Sequence, residues 1–222
     1  MTTVMLVHGA WHRPACWARL EPELHALGHD TRSPALRSAG EHPTAGMHED
    51  AAVLAEELAS IEGPVVLLGH SYGGIPVTEA AAGAGNVVRL IYLAAYMPDK
   101  GQSMYTLHGA PDPEDMGGLF PLGDDPRTSL YGDLTDADAE QAMSGLVQQT
   151  VRSFAEKVDA AAWRDIPSTY IVTEQDKSLP PALQEQMAAQ ATEIRRITSS
   201  HSPFLSQPRR LAALIDGISR PA

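Results

Sequence analysis

Cysteine is almost absent from this chain of 222 residues, which contains only Cys16. A single cysteine excludes an internal disulfide, so we expect hydrophobic packing to hold the fold and Cys16 to be a small packed residue. The length is sufficient for this, because one domain of this size buries a full core without disulfides or metals.

Basic charge is scarce as well, since 16 lysines and arginines stand against 28 acidic residues and give a net charge of −12. Nucleic-acid binding depends on a basic face, so we expect no nucleic-acid partner. No apolar run approaches the roughly 20 residues that a membrane span needs. Residues 1–7 lack the basic start of a secretory signal. We therefore expect a cytoplasmic protein with no membrane contact.

Short apolar runs alternate with segments of helical period along most of the chain. Strands are predicted at residues 4–8, 29–32, 65–68, 87–94, 168–173 and 193–198. Helices are predicted at residues 14–27, 47–61, 72–82, 181–190 and 205–218. Residues 65–68 are apolar on both faces, which is typical of a strand inside a parallel sheet, whereas the more polar residues 193–198 indicate an edge. The alternation predicts an α/β fold with a doubly wound, mostly parallel sheet.

Residues 98–163 break this alternation, with turn-rich sequence followed by helical periods over residues 135–158 and no convincing strand. The stretch is too long for a plain loop, so we predict a helical cap inserted into a core of residues 1–97 and 164–222. It carries twelve acidic and four basic side chains. A solvated outer face is the simpler interpretation, and our hypothesis is an entrance that repels anions and accepts neutral substrates.

The sequence Gly-His-Ser-Tyr-Gly at residues 69–73 has the form G-x-S-x-G. It follows a predicted buried strand and begins a predicted helix. A sharp turn there places a serine hydroxyl above the sheet, and the flanking glycines relieve crowding. The start of the helix adds partial positive charge near the hydroxyl. This context predicts Ser71 as a nucleophile.

A serine nucleophile needs a base, and the base needs an acid that orients it. With this motif the chain order is serine, acid and histidine, so the histidine should follow the last strand. His201 lies there and is the only histidine after residue 108. The acid should end the penultimate strand, where we choose Asp176. Its neighbour Glu174 and the earlier Asp99 are the alternatives.

Backbone N–H groups should stabilise the oxyanion that forms during acyl transfer. We expect one from Tyr72, directly after the nucleophile, and another from Ala10 in the loop after the first strand. His8 in the same loop is expected to shape it rather than to act chemically. Zinc-protease, P-loop and dinucleotide motifs are absent from the sequence, so we expect neither a metal nor a cofactor.

Apolar side chains near the predicted strand ends or in the insertion are candidates for a substrate pocket, and ordinary core packing explains each of them equally well. They are Trp11, Trp17, Tyr72, Met97, Tyr105 and Phe120. The expected partner is a small-molecule ester, and a homodimer is compatible with the sequence.

Four segments spread along the chain carry a resemblance to a known family. They are Val7-His8-Gly9-Ala10-Trp11, Gly69-His70-Ser71-Tyr72-Gly73-Gly74, Leu93-Ala94-Ala95-Tyr96-Met97-Pro98-Asp99 and Thr173-Glu174-Gln175-Asp176 followed by Pro180. The chain resembles the small plant-type methylesterases and hydroxynitrile lyases of the α/β-hydrolase superfamily, including the salicylate-binding methylesterases. The resemblance implies the same triad and oxyanion hole, a helical cap, and a core without the first strands of larger hydrolases.

Two departures from the family favour an esterase over a lyase. The lyases typically have a threonine in the first loop and a lysine after the catalytic histidine, where this chain has Gly9 and Ser202. Epoxide hydrolases and dehalogenases use an aspartate where this chain has Ser71. We expect a serine hydrolase that cleaves a small carboxylic ester through an acyl-enzyme. The alternatives are other chemistry on the same triad (C–C lysis, thioester or lactone hydrolysis, secondary-metabolite tailoring) and a non-catalytic ligand receptor.

Overall fold

Nine strands form two sheets in the computed structural model, which describes residues 2–220. The strands are β1 (Thr3–Val7), β2 (Asp30–Arg32), β3 (Ala39–Gly40), β4 (Val65–His70), β5 (Val87–Leu93), β6 (Leu119–Phe120), β7 (Gln148–Thr150), β8 (Ser168–Thr173) and β9 (Glu193–Ile197). Six of them make a parallel sheet in the order β2-β1-β4-β5-β8-β9. The prediction of a mostly parallel α/β sheet is confirmed, with β9 at an edge.

Ten α-helices accompany the sheets within the described residues. They are α1 (Glu21–Ala26), α2 (Met47–Ser60), α3 (Gly74–Ala80), α4 (Met104–Leu107), α5 (Pro126–Tyr131), α6 (Asp136–Ser144), α7 (Val151–Ala155), α8 (Pro181–Ala188), α9 (Pro203–Ser206) and α10 (Pro208–Ser219). Short 3₁₀ turns occupy Pro14–Trp17, Ser71–Gly73, Ala81–Gly83 and Ala162–Arg164.

Two hydrophobic clusters cover the two faces of the parallel sheet. Side chains alternate between the faces of a strand, so Met5 and Val7 of β1 join one cluster while Val4 and Leu6 join the other. The first cluster packs against α2, α3 and α8, and the second packs against α1 and α10. Burial on both faces explains the continuous apolar runs of the central strands.

The chain reverses its direction of winding between β1 and β4. From β1 it moves to β2 on one side, and it later returns to β4 on the other side of β1. In open α/β sheets, the crevice for a ligand lies outside the carboxyl ends of the strands at such a reversal. The loops after β1 and β4 therefore meet where a site is expected.

The predicted helix over residues 14–27 is wrong as a single element, because a 3₁₀ turn at Pro14–Trp17 precedes α1 at Glu21–Ala26. Pro22 lies in the first turn of α1, where its missing N–H needs no partner within the helix. A helix that continued through this position would lose a backbone hydrogen bond, so the chain begins a new helix instead.

The predicted absence of strands from residues 98–163 is also wrong. β6 and β7 lie within this insertion and form an antiparallel sheet with β3 from outside it. Strands of two or three residues are too short to show an alternating pattern. The rest of the insertion consists of short helices joined by turns and loops, with Gly145 capping α6 and the short α7 following β7.

Contacts at both ends tie the insertion to the core. Trp163 Nε1 donates to the Pro98 carbonyl at 2.8 Å, and Arg164 pairs with Asp99. The boundaries at residues 98 and 163 stay predictions, but these contacts bring the two ends of the segment together. None of the helices within residues 2–220 combines the length and the apolar character of a membrane span.

Candidate active site

The turn after β4 presents Ser71 in the left-handed backbone region, with φ of 53°. A non-glycine residue adopts this conformation at a cost, which packing around it must offset. A Cβ on Gly73 would lie 2.6 Å from the His8 carbonyl oxygen. The last glycine of the motif is therefore needed because the loop after β1 approaches its backbone closely.

Asp176 and His201 form a buried pair near this turn. His201 Nδ1 lies 2.7 Å from Asp176 Oδ2, and the two residues are 1% and 4% exposed. Because a carboxylate only accepts hydrogen bonds, Nδ1 carries the proton and Nε2 of the neutral imidazole is free to accept one. This is the tautomer that a general base for a serine requires.

The two alternative acids lie elsewhere. Glu174 is exposed and accepts a hydrogen bond from Thr198 Oγ1 at 2.5 Å. Asp99 pairs with Arg164 at the base of the insertion, and that hydrogen bond holds the pKa of Asp99 below its usual value. The geometry therefore favours Asp176 over both.

Four further donors surround the Asp176 carboxylate. The N–H groups of Ser178 and Leu179 donate to Oδ1 at 2.8 and 2.9 Å. Thr173 Oγ1 and Gln184 Nε2 donate to Oδ2 at 2.9 and 3.0 Å. A buried carboxylate needs such donors in place of water. Sequence reasoning missed Gln184, which lies eight residues beyond Asp176 on α8.

His70 ties the histidine loop to the turn that carries Ser71. Its Nε2 donates to the His201 carbonyl oxygen at 2.9 Å, and the two imidazole rings lie 4.6 Å apart. Burial lowers the pKa of His70 well below its usual value, so this ring is neutral. The residue before Ser71 thus holds the backbone of His201.

The insertion supports the same histidine loop. Ser199 Oγ and the Ser200 N–H donate to Asp133 Oδ2 at 2.7 and 3.1 Å. Burial raises the pKa of Asp133, but hydrogen bonds from both serines outweigh it and leave the pKa below its usual value. A carboxylate of the insertion thus anchors the two residues before His201.

The loop after β1 lies directly against Ser71. A Cβ on Gly9 would come within 2.9 Å of Ser71 Cβ. The next N–H, of Ala10, makes no hydrogen bond within the part of the chain that the structure describes. Ala10 is also buried, at 3% exposure. A buried N–H without an acceptor beside a serine is suited to an oxyanion hole.

Two neutral histidines fix the shape of this loop. His8 Nδ1 donates to the Gly9 carbonyl at 2.9 Å, and its Nε2 accepts from the Leu36 N–H at 3.2 Å. His12 Nδ1 donates to the Ala10 carbonyl at 2.7 Å. Burial lowers the pKa of each ring to about 4. The structural role expected for His8 agrees with these contacts, whereas sequence reasoning missed His12.

Aromatic side chains of the insertion pack on the loop after β1. The Trp11 ring lies 6.1 Å from Phe120, and Phe120 lies 6.4 Å from Tyr105 and 4.5 Å from Phe154. Trp11, Tyr105 and Phe120 are partly exposed and were predicted for a pocket, and Phe154 was missed. They form an apolar wall at the junction of core and insertion.

The other three pocket candidates, Trp17, Tyr72 and Met97, are core residues. Trp17 is fully buried in the second hydrophobic cluster, 4.7 Å from the Phe204 ring, so its prediction as a pocket residue is wrong. Trp17 ends the 3₁₀ turn at Pro14–Trp17 and packs with side chains of the sheet, which the sequence pattern does not reveal. Met97 is also fully buried, in the first cluster.

A separate cavity of about 930 Å³ opens between the 3₁₀ turn at Pro14–Trp17 and α6. Its lining within residues 2–220 includes His12 and Leu205 but none of Ser71, Asp176 or His201. The cavity therefore contacts His12, which binds the Ala10 carbonyl, but it does not contain the candidate triad.

One group of side chains within residues 2–220 has ligand atoms close enough together for a metal ion. It consists of His48, Glu79 and Asp159, whose ligand atoms lie within 4.8 Å of one another. His48 Nδ1 is engaged with Glu79 at 2.7 Å, and none of the three belongs to the candidate triad.

Comparison with known proteins agrees with this geometry. The pattern of the Alpha/beta hydrolase family matches residues 4–214. An alpha/beta hydrolase of Aspergillus novofumigatus is 32% identical over 96% of this chain and 94% of its own. A pyrethroid hydrolase of Sphingobium wenxiniae is 30% identical over 100% of this chain and 89% of its own.

Solved structures give the same result. A methylesterase from Arabidopsis superposes with a TM-score of 0.83 at 26% identity and covers 99% of both chains. Polyneuridine aldehyde esterase superposes with a TM-score of 0.85 at 23% identity, which shows a shared fold. The predicted resemblance to plant-type methylesterases and the prediction of an esterase-type enzyme are confirmed. The chain belongs to the alpha/beta hydrolase family.

Proposed function

We propose that this protein is a serine hydrolase that cleaves a small carboxylic ester through an acyl-enzyme on Ser71. The observation that carries the proposal is the buried contact of 2.7 Å between His201 and Asp176, beside the strained turn that presents Ser71. Relatives named as hydrolases and esterases support the same chemistry.

In the first half-reaction His201 Nε2 takes the hydroxyl proton while Ser71 Oγ bonds to the ester carbonyl carbon. The carbonyl oxygen becomes an oxyanion, which the N–H groups of Ala10 and Tyr72 stabilise. The C–O bond to the alcohol then breaks, and His201 returns the proton to the departing alkoxide. Asp176 stabilises the imidazolium throughout these steps.

In the second half-reaction water attacks the acyl group on Ser71, and His201 accepts the proton of that water. The bond to Ser71 Oγ breaks, the serine regains a proton and the carboxylic acid leaves. Each step uses only the substrate, water and the side chains proposed for the triad, so the proposed reaction requires no cofactor.

For the substrate, we infer a neutral ester. The insertion contributes −8 of the net charge of −12, and its aromatic side chains pack on Trp11 in the loop after β1. Negative charge around an entrance lowers the local concentration of anionic substrates, most strongly at low ionic strength. Apolar ester groups also gain more from contact with Trp11 and Phe120 than charged ones.

Hydrolysis of p-nitrophenyl acetate and butyrate by the wild type and by Ser71→Ala tests the mechanism. We expect turnover by the wild type and loss of covalent chemistry in the variant, with an unchanged melting temperature. Ser60→Ala, at an exposed serine that ends α2, is the matched control and should retain full activity. Equal rates for Ser71→Ala and the wild type would refute Ser71 as the nucleophile.

The same proteins test the charge of the substrate. Dimethyl malonate should be hydrolysed faster than the anionic monomethyl malonate at low salt, and added salt should narrow the difference. Faster turnover of the half-ester at low salt would disprove the neutral preference while leaving the serine mechanism intact.

A further inference from the structure

A second buried carboxylate, Asp50 of α2, lies beside the residue that follows Ser71. It is fully buried and accepts a hydrogen bond from Tyr72 Oη to its Oδ2 at 2.6 Å. Ser38 donates twice, from its N–H to Oδ1 at 2.9 Å and from its hydroxyl to Oδ2. Asp50 is therefore an acceptor on which three donors converge.

A chain of hydrogen bonds runs from Asp50 into the insertion and on to the loop after β1. Gln149 Nε2 donates to Ser38 Oγ at 2.8 Å, and the Trp11 N–H donates to Gln149 Oε1 at 3.3 Å. A backbone N–H can only donate, so the amide oxygen of Gln149 must face Trp11 and its nitrogen must face Ser38. Every bond between Trp11 and Asp50 thus points toward the carboxylate.

Together with the bond from Tyr72 to Asp50, this chain connects Trp11, the neighbour of one proposed oxyanion donor, to Tyr72, which is the other. Trp11 directly follows Ala10 and is held in the left-handed region with φ of 60°, a strained conformation for tryptophan. Its carbonyl is also engaged, by the Val147 N–H at 2.8 Å. At the other end, Tyr72 contributes its own N–H while its side chain binds Asp50.

We propose that Asp50 is a positioning residue for the oxyanion hole, which sets the separation of the Ala10 and Tyr72 N–H groups through Tyr72 on one side and through Ser38, Gln149 and Trp11 on the other. This inference rests on the proposed function and adds a part of the molecule that neither the motifs nor the comparisons assign. It also makes Gln149 of the insertion a contributor to the geometry of the site.

Physical chemistry favours this role over simple packing. A buried carboxylate is costly, and apolar groups of similar shape are often as stable, so an ionisable group here is a poor way to fill space. Oxyanion stabilisation, by contrast, depends on donors fixed before reaction, and misplacement by about 1 Å can cost on the order of 10²-fold in rate. Because an ionised carboxylate only accepts hydrogen bonds, Asp50 can hold Tyr72 and Ser38 at the same time.

Tyr72→Phe is the primary test, because it removes the hydroxyl and keeps the ring and the backbone N–H. We expect kcat for p-nitrophenyl butyrate to fall roughly tenfold with KM nearly unchanged, because the oxyanion forms only during reaction. Inhibition by a trifluoromethyl ketone, which forms an oxyanion on the serine, should weaken by a similar factor. Binding of butyrate, the product, should not change.

The matched control is Tyr92→Phe. Its hydroxyl is also buried and bonds to Thr78 Oγ1 at 2.7 Å, but it lies outside the network. It should lower the melting temperature by an amount similar to Tyr72→Phe while leaving kcat at the wild-type value. Equal kcat values for the two variants would overturn the inference.

Gln149→Met, alone and combined with Tyr72→Phe, tests the other arm without touching Asp50. We expect a similar fall in kcat and a double variant that loses less than the product of the two single effects, because both changes release the same carboxylate. Fully multiplicative effects, or a fall in KM alone, would reject the network. An inactive wild type would instead refute the proposed function. If the wild type is active and Ser71→Ala is inactive, the proposed function stands, and a failed network test then refutes only the role of Asp50.

Discussion

Two buried aspartates lie near Ser71, and their surroundings differ. Asp176 receives donors from its own loop and α8, and it faces His201, a group that gains positive charge during the proposed reaction. Asp50 receives donors from Ser38 and Tyr72, and neither gains charge. An aspartate therefore stabilises a developing charge at position 176, whereas at position 50 it holds neutral groups in a fixed geometry.

The pKa of Asp50 reflects this difference. Burial raises it from 3.8 to about 6, against the opposing hydrogen bonds from Ser38 and Tyr72. Within residues 2–220 no basic side chain forms an ion pair with Asp50 that would compensate the cost of burying this carboxylate. We conclude that the charge of Asp50 lowers the stability of the folded state, whereas the charge of Asp176 is required by the proposed chemistry.

Replacement of each aspartate by asparagine should separate the two roles by activity. Asp176→Asn removes the charge that stabilises the His201 imidazolium and favours the wrong tautomer, so we expect kcat to fall roughly 10⁴-fold, as in serine proteases. Asp50→Asn keeps the shape and part of the hydrogen bonding, so a fall of about 10- to 100-fold is expected. Esterase assays on both purified variants make the comparison.

Glu174→Gln and Asp99→Asn serve as controls, because the structure places both groups away from His201. They should remain close to the wild type in kcat. Near-full activity of Asp176→Asn together with loss in either control would show that the acid is assigned to the wrong residue.

Stability as a function of pH should test the burial of Asp50 in a second way. The pKa of Asp50 is higher in the folded state than in the unfolded state, so the folded protein binds this proton more tightly. Its contribution to stability is present below about pH 4 and is lost as the pH rises through about 6. Over that interval the wild type should lose up to about 3 kcal/mol relative to Asp50→Asn.

Thermal melts of both proteins between pH 4 and pH 7 measure this difference. A shift of about 2–4 °C is expected for each kcal/mol in a chain of this length. Tyr72→Phe sharpens the test, because it removes a hydrogen bond that lowers the pKa of Asp50 and should move the transition to higher pH. A gap between wild type and Asp50→Asn that stays constant over this range would contradict the assignment.

The central sheet could be predicted because its strands are recognisable from local sequence patterns. Residues 65–68 and 168–173 are apolar on both faces, and neither needs knowledge of its neighbours to be recognised. Ser71, His201 and Asp176 were found for a related reason, since each follows a predicted strand in the chain order that the motif implies. Their roles stay proposals, although the structure brings Asp176 and His201 together.

What the sequence could not predict depends on partners far away in the chain. β7 is recognisable only through its pairing with β3 and β6, and Asp50 only through its contacts with Ser38 and Tyr72. In the sequence Asp50 is one more acid on a helix with several, where an exposed position is the usual expectation. Long-range contacts rather than local patterns place it in the core.

Gln184 provides the smallest and most selective test of the Asp176 environment. Its Nε2 donates to Asp176 Oδ2 at 3.0 Å and to the Leu179 carbonyl at 2.7 Å, while its Oε1 accepts from the Thr173 N–H at 3.0 Å. Gln184→Met removes one of five donors to the carboxylate, so we expect about a tenfold fall in kcat with little change in KM. Gln186→Met, at an exposed position of the same helix, is the control.

Gln184→Glu distinguishes orientation of Asp176 from simple support of the fold. Glutamate matches glutamine in shape and keeps the acceptor for Thr173, so at a temperature where both variants are fully folded a purely structural role predicts a smaller loss of kcat than methionine causes. A positioning role predicts the reverse at pH 8, because a second carboxylate about 3 Å from Asp176 repels its charge and displaces it from its position. If the glutamate variant is the more active of the two, Gln184 supports the fold and does not position Asp176.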